Sequence, residues 1–320
     1  MRHIMYALLL GHASAIQDEC KLFTMGDGCK CQDGYLLRVI WSGRLGNNLF
    51  QLANVLQLAK ETQSEVFVAP HENINQTSWG FRAHVDSKHF CQLAITSEFF
   101  HSSFCPLFLG KDVFPYKAMR RILQSHILPV FHPPAHRVGN IVVIHVRGGD
   151  IFIADPPRVY TQPPMAFYNS ILDLPEHRRS KILLCTEDFK NPVVEALQIQ
   201  YGKRLTVNMD LDKSISALTG AKHLVLSHSS FSEALALLAP DLESVHFPFC
   251  VPSFLGTYSA KGSMYLDRRN ATWDFRGFCY EYDNYIPLDE WAYTSEQLSL
   301  ITNLSSSQVH RYALPQHVGS

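Results

Sequence analysis

Three short segments combine glycine or serine with a charged or polar side chain directly after an apolar run. They are Gly43–Asn47 (GRLGN), His145–Asp150 (HVRGGD) and Ser227–Ser232 (SHSSFS). Glycines let a ligand approach the backbone closely, and arginine can donate two parallel hydrogen bonds to a phosphate. Serine hydroxyls and backbone N–H groups at a helix start also bind anions. All three segments therefore have the residue types of anion-binding loops.

Each segment also has a purely structural interpretation. Arg44 could be a surface arginine in a plain turn, and His145 could be a hydrogen-bonded core histidine. Asp150 could simply pair with Arg147, and serine is common at helix N-caps. Arg147 favours function most strongly, because an arginine between an apolar run and two glycines suits a phosphate better than a protein core.

The elements around these segments predict an α/β protein. Strands are predicted at Leu36–Trp41, Val66–Ala69, Ile141–Val146, Lys181–Cys185, Leu205–Val207, His223–Leu226 and Val245–Phe247. Helices are predicted at Asn48–Lys60, Val193–Gln200, Lys213–Gly220 and Phe231–Leu238, the last capped by Ser229 or Ser230. The three segments thus join strands to helices, where open α/β sheets bind ligands.

The proline-rich stretch Phe131–Ala135 predicts a linker between two parallel α/β domains. We expect an N-terminal segment of residues 1–35, a first domain of 36–138 and a second domain of 139–320. Residues 71–110 show no clear period, and the tail beyond Pro252 is rich in aromatic residues. Both regions are predicted to be irregular.

The overall composition is that of a globular protein. The chain has 320 residues, of which 46% are hydrophobic and 18% are charged, and a formal net charge of −1. This balance excludes a disordered chain and a global field that would attract nucleic acid, so nucleic acid is not an expected partner. No G-x-G-x-x-G follows either leading strand, which disfavours a dehydrogenase.

Several features favour the secretory pathway. The eight cysteines fit a few disulfides, Cys29 and Cys31 lack zinc spacing, and glycosylation sequons begin at Asn75, Asn270 and Asn303. The apolar run Ile4–Leu10 is too short to span a bilayer and indicates a signal peptide or a clipped anchor. We expect a lumenal or secreted protein, with membrane contact only through such an anchor.

Taken in order, the three segments resemble the α-1,2-fucosyltransferase family. The matching stretches are Gly43–Ala53 (GRLGNNLFQLA), His145–Asp150 and Lys222–Ser232 (KHLVLSHSSFS). The resemblance implies a GT-B-like fold with two Rossmann-like domains facing a cleft. It also implies an inverting Golgi enzyme that moves fucose from GDP-fucose to a glycan hydroxyl, typically of terminal galactose. Protein O-fucosyltransferases are distantly similar, which leaves the acceptor class open.

The same resemblance assigns roles to residues. Arg147 would hold the β-phosphate of GDP-fucose, and the donor would also be bound by Arg44, Asn47, His145, Ser229, Ser230 and Phe231. Beyond the resemblance, Asp150 is a candidate catalytic residue, and Gly46, Asp212 and Ser232 are further candidates for donor binding. Neither a metal nor another cofactor is implied, because arginine and backbone N–H groups can stabilise the GDP leaving group, each contact contributing roughly 3 kcal/mol. Asp210–Asp212 resembles a D-x-D metal motif only superficially.

Three departures from the family pattern leave a degenerate nucleotide- or glycan-binding homologue open. Gly148 replaces a second arginine, and Ser214 stands where related enzymes read guanine with an aspartate. Ser232–Ala234 replaces a region that tends to hold two tryptophans. Apart from Asp150, the candidates for a general base are Glu187 and Asp188, which could instead be a charge pair at a helix N-terminus.

Overall fold

A computed structural model of the chain describes residues 22–24, 35–41, 43–81, 91–95, 116–136, 139, 141–251 and 267–316. The chain divides into two compact units. The first unit holds residues 1–114 and 256–264, and the second unit holds residues 115–255 and 265–320. The predicted signal or anchor run lies outside the described residues. Among the helices that are described, none has the length and hydropathy needed to cross a bilayer.

A mixed five-stranded sheet forms the first unit. Its strands are β1 (Leu22–Thr24), β2 (Tyr35–Val39), β3 (Glu65–Val68), β4 (Ser78–Gly80) and β5 (Cys91–Ile95), in the order β1-β5-β2-β3-β4. β2 lies parallel to β3 and β5, and the outer strands are antiparallel. The prediction that residues 71–110 are irregular was wrong for β4 and β5, because strands of three and five residues are too short to show a period.

Helix α1 (Leu45–Thr62) follows β2 and buries one side against this sheet. Leu49, Leu52 and Leu56 are fully buried, as their helical spacing predicts. Gln51 donates a hydrogen bond from Nε2 to the carbonyl of Ile40 at 2.8 Å. This bond ties the first turns of α1 to the residue that follows β2, and so helps to fix the GRLGN turn between them.

The second unit is built on a seven-stranded sheet. Its strands are β6 (Ile141–His145), β7 (Lys181–Cys185), β8 (Leu205–Asn208), β9 (His223–Val225), β10 (Ser244–Phe247), β11 (Arg276–Tyr282) and β12 (Val309–Ala313). They lie in the order β12-β11-β10-β9-β6-β7-β8, and all except β12 are parallel to their neighbours. Counted along the chain, the parallel strands have the Rossmann order 3-2-1-4-5-6. The predicted α/β class is confirmed.

Helices alternate with these strands. They are α2 (Tyr116–Ile122, continued by a π-turn at Leu123–Ile127), α3 (Met165–Leu172), α4 (Pro192–Tyr201), α5 (Leu211–Thr219), α6 (Ser230–Leu238) and α7 (Ser295–Asn303). The predicted strands and helices of this unit are confirmed within a few residues at either end. Long apolar runs such as IVVIH and KILLC are buried in a parallel sheet, which is why they were recognisable from sequence.

The C-terminal tail is more regular than its sequence predicts. It supplies β11, α7 and β12, and the disulfide Cys250–Cys279 joins the loop after β10 to β11. Trp291 and Tyr280 are fully buried in the core. The strand RGFCYEY mixes aromatic and charged residues, and its structure depends on pairing with β10, so no local pattern could indicate it.

Candidate functional site

The second sheet reverses its strand order between β6 and β9, which lie side by side. The carboxyl ends of both strands point to one edge, since parallel register places Ile144 opposite Val225. The loops Val146–Asp150 and Leu226–Ser229 leave the sheet here, and they hold most of two predicted segments, His145–Asp150 and Ser227–Ser232. We call this place the switch point. In open α/β sheets the crevice at such a point is where ligands bind.

Arg147 lies directly at the switch point, and its side chain is only 11% exposed. Its guanidinium carbon lies over the ring of Tyr160, 3.9 Å from the ring centroid. Its backbone carbonyl accepts a hydrogen bond from Nδ2 of Asn191, the fully buried N-cap of α4, at 3.0 Å. Arg147 is therefore fixed at its backbone and covered on one face.

Asp150 is the nearest charged partner of Arg147. Nη2 of Arg147 donates to Oδ1 of Asp150 at 3.2 Å, and the carboxyl side chain is 41% exposed. The ion pair between Asp150 and Arg147, which the structural interpretation of Asp150 predicts, is thus present. A carboxylate in this place can also contact a ligand, because it is more exposed than the arginine with which it pairs.

The glycines after Arg147 pack against a neighbouring loop. The backbone N–H of Gly149 donates to the carboxylate of Asp188, with distances of 3.2 and 3.3 Å to the two oxygens. A Cβ atom on Gly148 would collide with the same carboxylate, and Gly149 has a φ of +67°. The positive φ of Gly149 therefore favours glycine, whereas a larger residue at Gly148, where the family pattern has a second arginine, would require the Asp188 side chain to move.

This contact corrects one sequence-based interpretation. Glu187 and Asp188 were considered as a charge pair at a helix N-terminus. Helix α4 instead begins at Pro192, and Asn191 caps it by accepting from the backbone N–H of Val193 at 3.0 Å. Asp188 therefore belongs to the loop that supports the glycines. The sequence-based interpretation failed because the length of the loop between a strand and its helix cannot be read from the charges alone.

His145 and Ser227 join the ends of β6 and β9. Nδ1 of His145 lies 2.7 Å from Oγ of Ser227, and its ring centroid lies 5.3 Å from that of Phe231. Burial, together with the nearby Arg147 guanidinium, lowers the pKa of His145 to about 3. The imidazole is therefore neutral near pH 7, and it can act as a hydrogen-bond partner but not as a positive charge.

His228 belongs to the same cluster and is held by a segment that the sequence did not single out. Its Nδ1 atom lies 2.9 Å from the carbonyl oxygen of Thr161, and its own carbonyl accepts from Nε2 of Gln162 at 3.2 Å. Burial lowers the pKa of His228 to about 3 despite the Thr161 carbonyl. The loop after β9 is thus tied to residues that precede α3.

Helix α6 begins immediately after this loop. Ser229 occupies the N-cap position, as predicted, but its side chain makes no capping hydrogen bond. Ser232 is fully buried, with Oγ at 3.4 Å from the carbonyl of Ser229, whereas Ser230 and Phe231 are partly exposed. The positive end of the α6 dipole therefore lies at the switch point without a side-chain cap.

Asp212 lies apart from this cluster. It is exposed in the first turn of α5, which follows the edge strand β8, and β7 separates β8 from β6. Ser214 is buried and accepts a hydrogen bond from Nδ2 of Asn208 at 2.8 Å. Asp210 caps α5 by accepting from the backbone N–H of Lys213 at 3.0 Å. The described residues contain no group of three or more acidic, histidine or cysteine residues placed to hold a metal.

The remaining predicted residues belong to the first unit. Arg44 is the exposed N-cap of α1, and Gly46 and Asn47 lie in its first turn. Gly43 has a φ of +75°, which explains the glycine that starts the motif. The predicted roles of Arg44, Gly46 and Asn47 toward a donor remain predictions.

Tyr160, Gln162, Asn191 and Asp188 are the residues of the site that sequence reasoning missed or misassigned. Tyr160 and Gln162 reach the switch point from the segment before α3, and Asp188 and Asn191 reach it from the loop between β7 and α4. One weak signal existed, since Asn191 directly before Pro192 is a typical helix start. No spacing pattern could have paired Tyr160 with Arg147, because that contact is tertiary.

The fold and the site define an α/β protein with a shielded arginine and a helix N-terminus at the switch point of a Rossmann-ordered sheet. The sequence matches no protein-family model and no curated protein. The structure is similar to Escherichia coli heptosyltransferase WaaC with ADP, at 11% identity and a TM-score of 0.37, over 70% of this chain and 91% of that chain.

Two further solved structures are similar, with comparable sequence identities and TM-scores. A variant of Arabidopsis thaliana FUT1 in complex with GDP is 12% identical, with a TM-score of 0.36, over 75% of this chain and 78% of that chain. The iron-containing dodecameric glycosyltransferase TibC from enterotoxigenic E. coli is 13% identical, with a TM-score of 0.40, over 75% and 66%. These likenesses are too distant to assign a family or an activity.

Proposed function

We propose that this chain is a glycosyltransferase that binds the diphosphate of a nucleotide sugar at the switch point. The observation that carries the proposal is the position of Arg147. Its shielded guanidinium lies at the carboxyl end of β6, beside the uncapped start of α6 after β9. A permanent cation and a helix N-terminus at the same crevice form an anion site that suits a diphosphate.

The chemistry of sugar transfer explains this arrangement. The bond between the anomeric carbon and the diphosphate breaks, and negative charge develops on the departing phosphate oxygen. Arg147 and the first backbone N–H groups of α6 would stabilise that charge as it forms, without reorganisation. His145, neutral near pH 7, would line the pocket as a hydrogen-bond partner. We propose that transfer needs no divalent metal.

The finer identity of the donor rests on the sequence motifs. The three ordered stretches resemble the α-1,2-fucosyltransferase family, so we propose GDP-fucose as the donor, an inverting reaction, a GT-B-like fold and a site in the secretory pathway. The proposed acceptor is a hydroxyl of a galactose-terminated glycan. Asp150, which is more exposed than Arg147, is the proposed base for that hydroxyl.

The test is a donor panel with a matched pair of arginine variants. The protein is incubated with sugar nucleotides and a galactose-terminated glycan in EDTA, and nucleotide release and glycan mass are followed. We expect GDP release and a gain of one fucose residue, with kcat/KM lowered about a hundredfold or more in Arg147→Ala. Arg276→Ala is the control, because Arg276 lies at the amino end of β11, whereas the switch point lies at the carboxyl ends of the strands. Wild-type activity in Arg147→Ala would refute the assignment.

A binding protein without transferase activity is the second candidate. Ser214, which is buried against Asn208, cannot supply the carboxylate that related enzymes use to read guanine. Calorimetry with GDP, ADP and UDP separates the two proposals. A protein that binds a nucleotide but releases none from any sugar nucleotide is the degenerate homologue, and one that binds none is neither.

A further inference from the structure

The contact between Arg147 and Tyr160 is closer than the other arginine–aromatic contacts of the described residues. Its 3.9 Å separation compares with 4.5 to 5.8 Å for the remaining pairs. At 3.9 Å the guanidinium carbon is in van der Waals contact with the face of the ring. The positive charge therefore lies where the negative ring face attracts it most strongly.

Hydrogen bonds join the segment that carries Tyr160 to two other parts of the chain. On one side, the carbonyls of Tyr160 and His228 both accept from Nε2 of Gln162, at 2.9 and 3.2 Å. On the other, Oγ1 of Thr161 donates to the carbonyl of Pro287 at 2.7 Å, and the hydroxyl of Tyr285 donates to the carbonyl of Gln162 at 2.7 Å. The segment that carries the ring is thus hydrogen-bonded to the loop after β9 and to the C-terminal tail.

From this geometry we propose that Tyr160 is a positioning residue that sets the orientation of the Arg147 guanidinium for a nucleoside diphosphate. The proposal rests on the proposed function, since it specifies how that diphosphate is gripped. A guanidinium carries its five N–H donors in its own plane. A ring over its face therefore restrains the group without consuming any donor, whereas Asp150 occupies Nη2.

The consequence is a difference between the ring and the hydroxyl of Tyr160. Phenylalanine keeps the ring face and should keep the orientation of Arg147. Leucine is apolar and fills part of the space, but it has no ring face to attract a cation. Without the ring, the guanidinium can rotate toward Asp150, and its donors no longer meet the phosphates in a fixed plane.

The experiment measures GDP dissociation constants by calorimetry for Tyr160→Phe, Tyr160→Leu, Arg147→Ala and the Arg147→Ala/Tyr160→Leu double variant. We expect Tyr160→Phe to bind like wild type and Tyr160→Leu to bind roughly tenfold more weakly. In the Arg147→Ala background, Tyr160→Leu should cause no further loss, because the two residues act as one unit. An additive loss in the double variant would overturn the proposal.

A matched control comes from the edge strand β12, three strands away from β9. Tyr312 on β12 lies beside Arg269, with 5.3 Å between the guanidinium carbon and the ring centroid, so Tyr312→Leu removes a similar pair far from the switch point. It should leave GDP affinity unchanged. If Arg147→Ala binds GDP more weakly than wild type, but Tyr160→Leu equals wild type, the inference alone fails. If wild type binds no nucleotide, the proposed function fails instead.

Discussion

In the proposed complex, the guanidinium of Arg147 has two competing anionic partners, the carboxylate of Asp150 and a phosphate. Asp150 already accepts from Nη2 at 3.2 Å, so a phosphate must share the guanidinium with a carboxylate. The two anions repel each other, which makes an ionised Asp150 unfavourable for holding the leaving group. A carboxylate retained in such a place needs another use, and accepting the proton of an acceptor hydroxyl is one.

Asp150→Asn separates these two roles. The substitution keeps the shape of the side chain but removes its charge and its ability to accept a proton. We expect GDP to bind as tightly as in wild type or more tightly, because the repulsion is lost. We expect kcat for transfer to fall about a hundredfold or more, because a base is lost. Steady-state kinetics and calorimetry measure both, and an unchanged kcat would leave Asp150 as a partner of Arg147 only.

Gly149 tests the backbone of the same loop. Its φ of +67° is unfavourable for residues with a Cβ atom, and an added methyl would collide with Glu187. Gly149→Ala should therefore lower the unfolding free energy by about 1–3 kcal/mol and weaken GDP binding through the displaced Arg147. Urea unfolding measures the first effect. Gly202→Ala is the reference, since Gly202 also has positive φ but has open space around it; an equal loss there would mean that Glu187 contributes nothing.

Helix α6 is held in place by charges buried beneath it. Glu233 in its first turns pairs with Arg268 at 2.6 Å, and the two side chains are 4% and 2% exposed. Tyr116 of α2 donates its hydroxyl to the other oxygen of Glu233 at 2.9 Å, and burial raises the pKa of this phenol well above its usual value. Arg268 also donates to the carbonyl of Phe249 at 2.7 Å. The network fixes the end of α6 that faces the switch point.

Removing one partner of this ion pair should be costly. Glu233→Ala leaves Arg268 buried without its counter-charge, so we expect the unfolding free energy to fall by about 3–5 kcal/mol. The double variant Glu233→Leu/Arg268→Met should recover most of that loss, since no buried charge remains. Urea unfolding of each variant measures the change.

The control for this pair is exposed. Glu243 pairs with Lys222 where both side chains are about half exposed, so Glu243→Ala should leave the unfolding midpoint near that of wild type. If Glu233→Ala also leaves the midpoint unchanged, the buried pair is not what holds α6. If the double variant is no better than Glu233→Ala, the loss comes from packing rather than from the stranded charge.

Sequence patterns located the second sheet well because its strands are buried on both faces and its helices carry apolar stripes. Ile141–His145 and Lys181–Cys185 were recognisable as uninterrupted apolar runs. The loop Arg147–Gly149 was recognisable because an arginine directly after an apolar run suits a phosphate better than a protein core, whereas Ser227–Ser230 was a weaker signal because serine is common at helix N-caps. In both cases the signal is local, so one sequence was sufficient.

The parts that could not be predicted depend on contacts between distant segments. Tyr160 meets Arg147 across the long connection between β6 and α3, and Asp188 meets Gly149 only because the sheet brings two such connections to one edge. β11 is stabilised by β10 and by the disulfide Cys250–Cys279, not by its own alternation. Stability and site geometry therefore belong to the whole second unit rather than to its motifs.

The neutral, buried histidines of the second unit predict an acid-sensitive fold. Burial lowers the pKa of His145 and His228 to about 3, and that of His246 well below its ordinary value. In the unfolded chain these histidines take up protons near pH 6.5, whereas in the folded chain they stay neutral to much lower pH. The free energy of unfolding is therefore highest above pH 6.5 and falls as the pH drops below it. Between pH 7.5 and 5.5 we expect a loss of roughly 4 kcal/mol, about one third of it from each histidine. Urea unfolding at both pH values measures this loss. His246→Asn should reduce the pH dependence by its share, and equal midpoints at both pH values would refute the prediction.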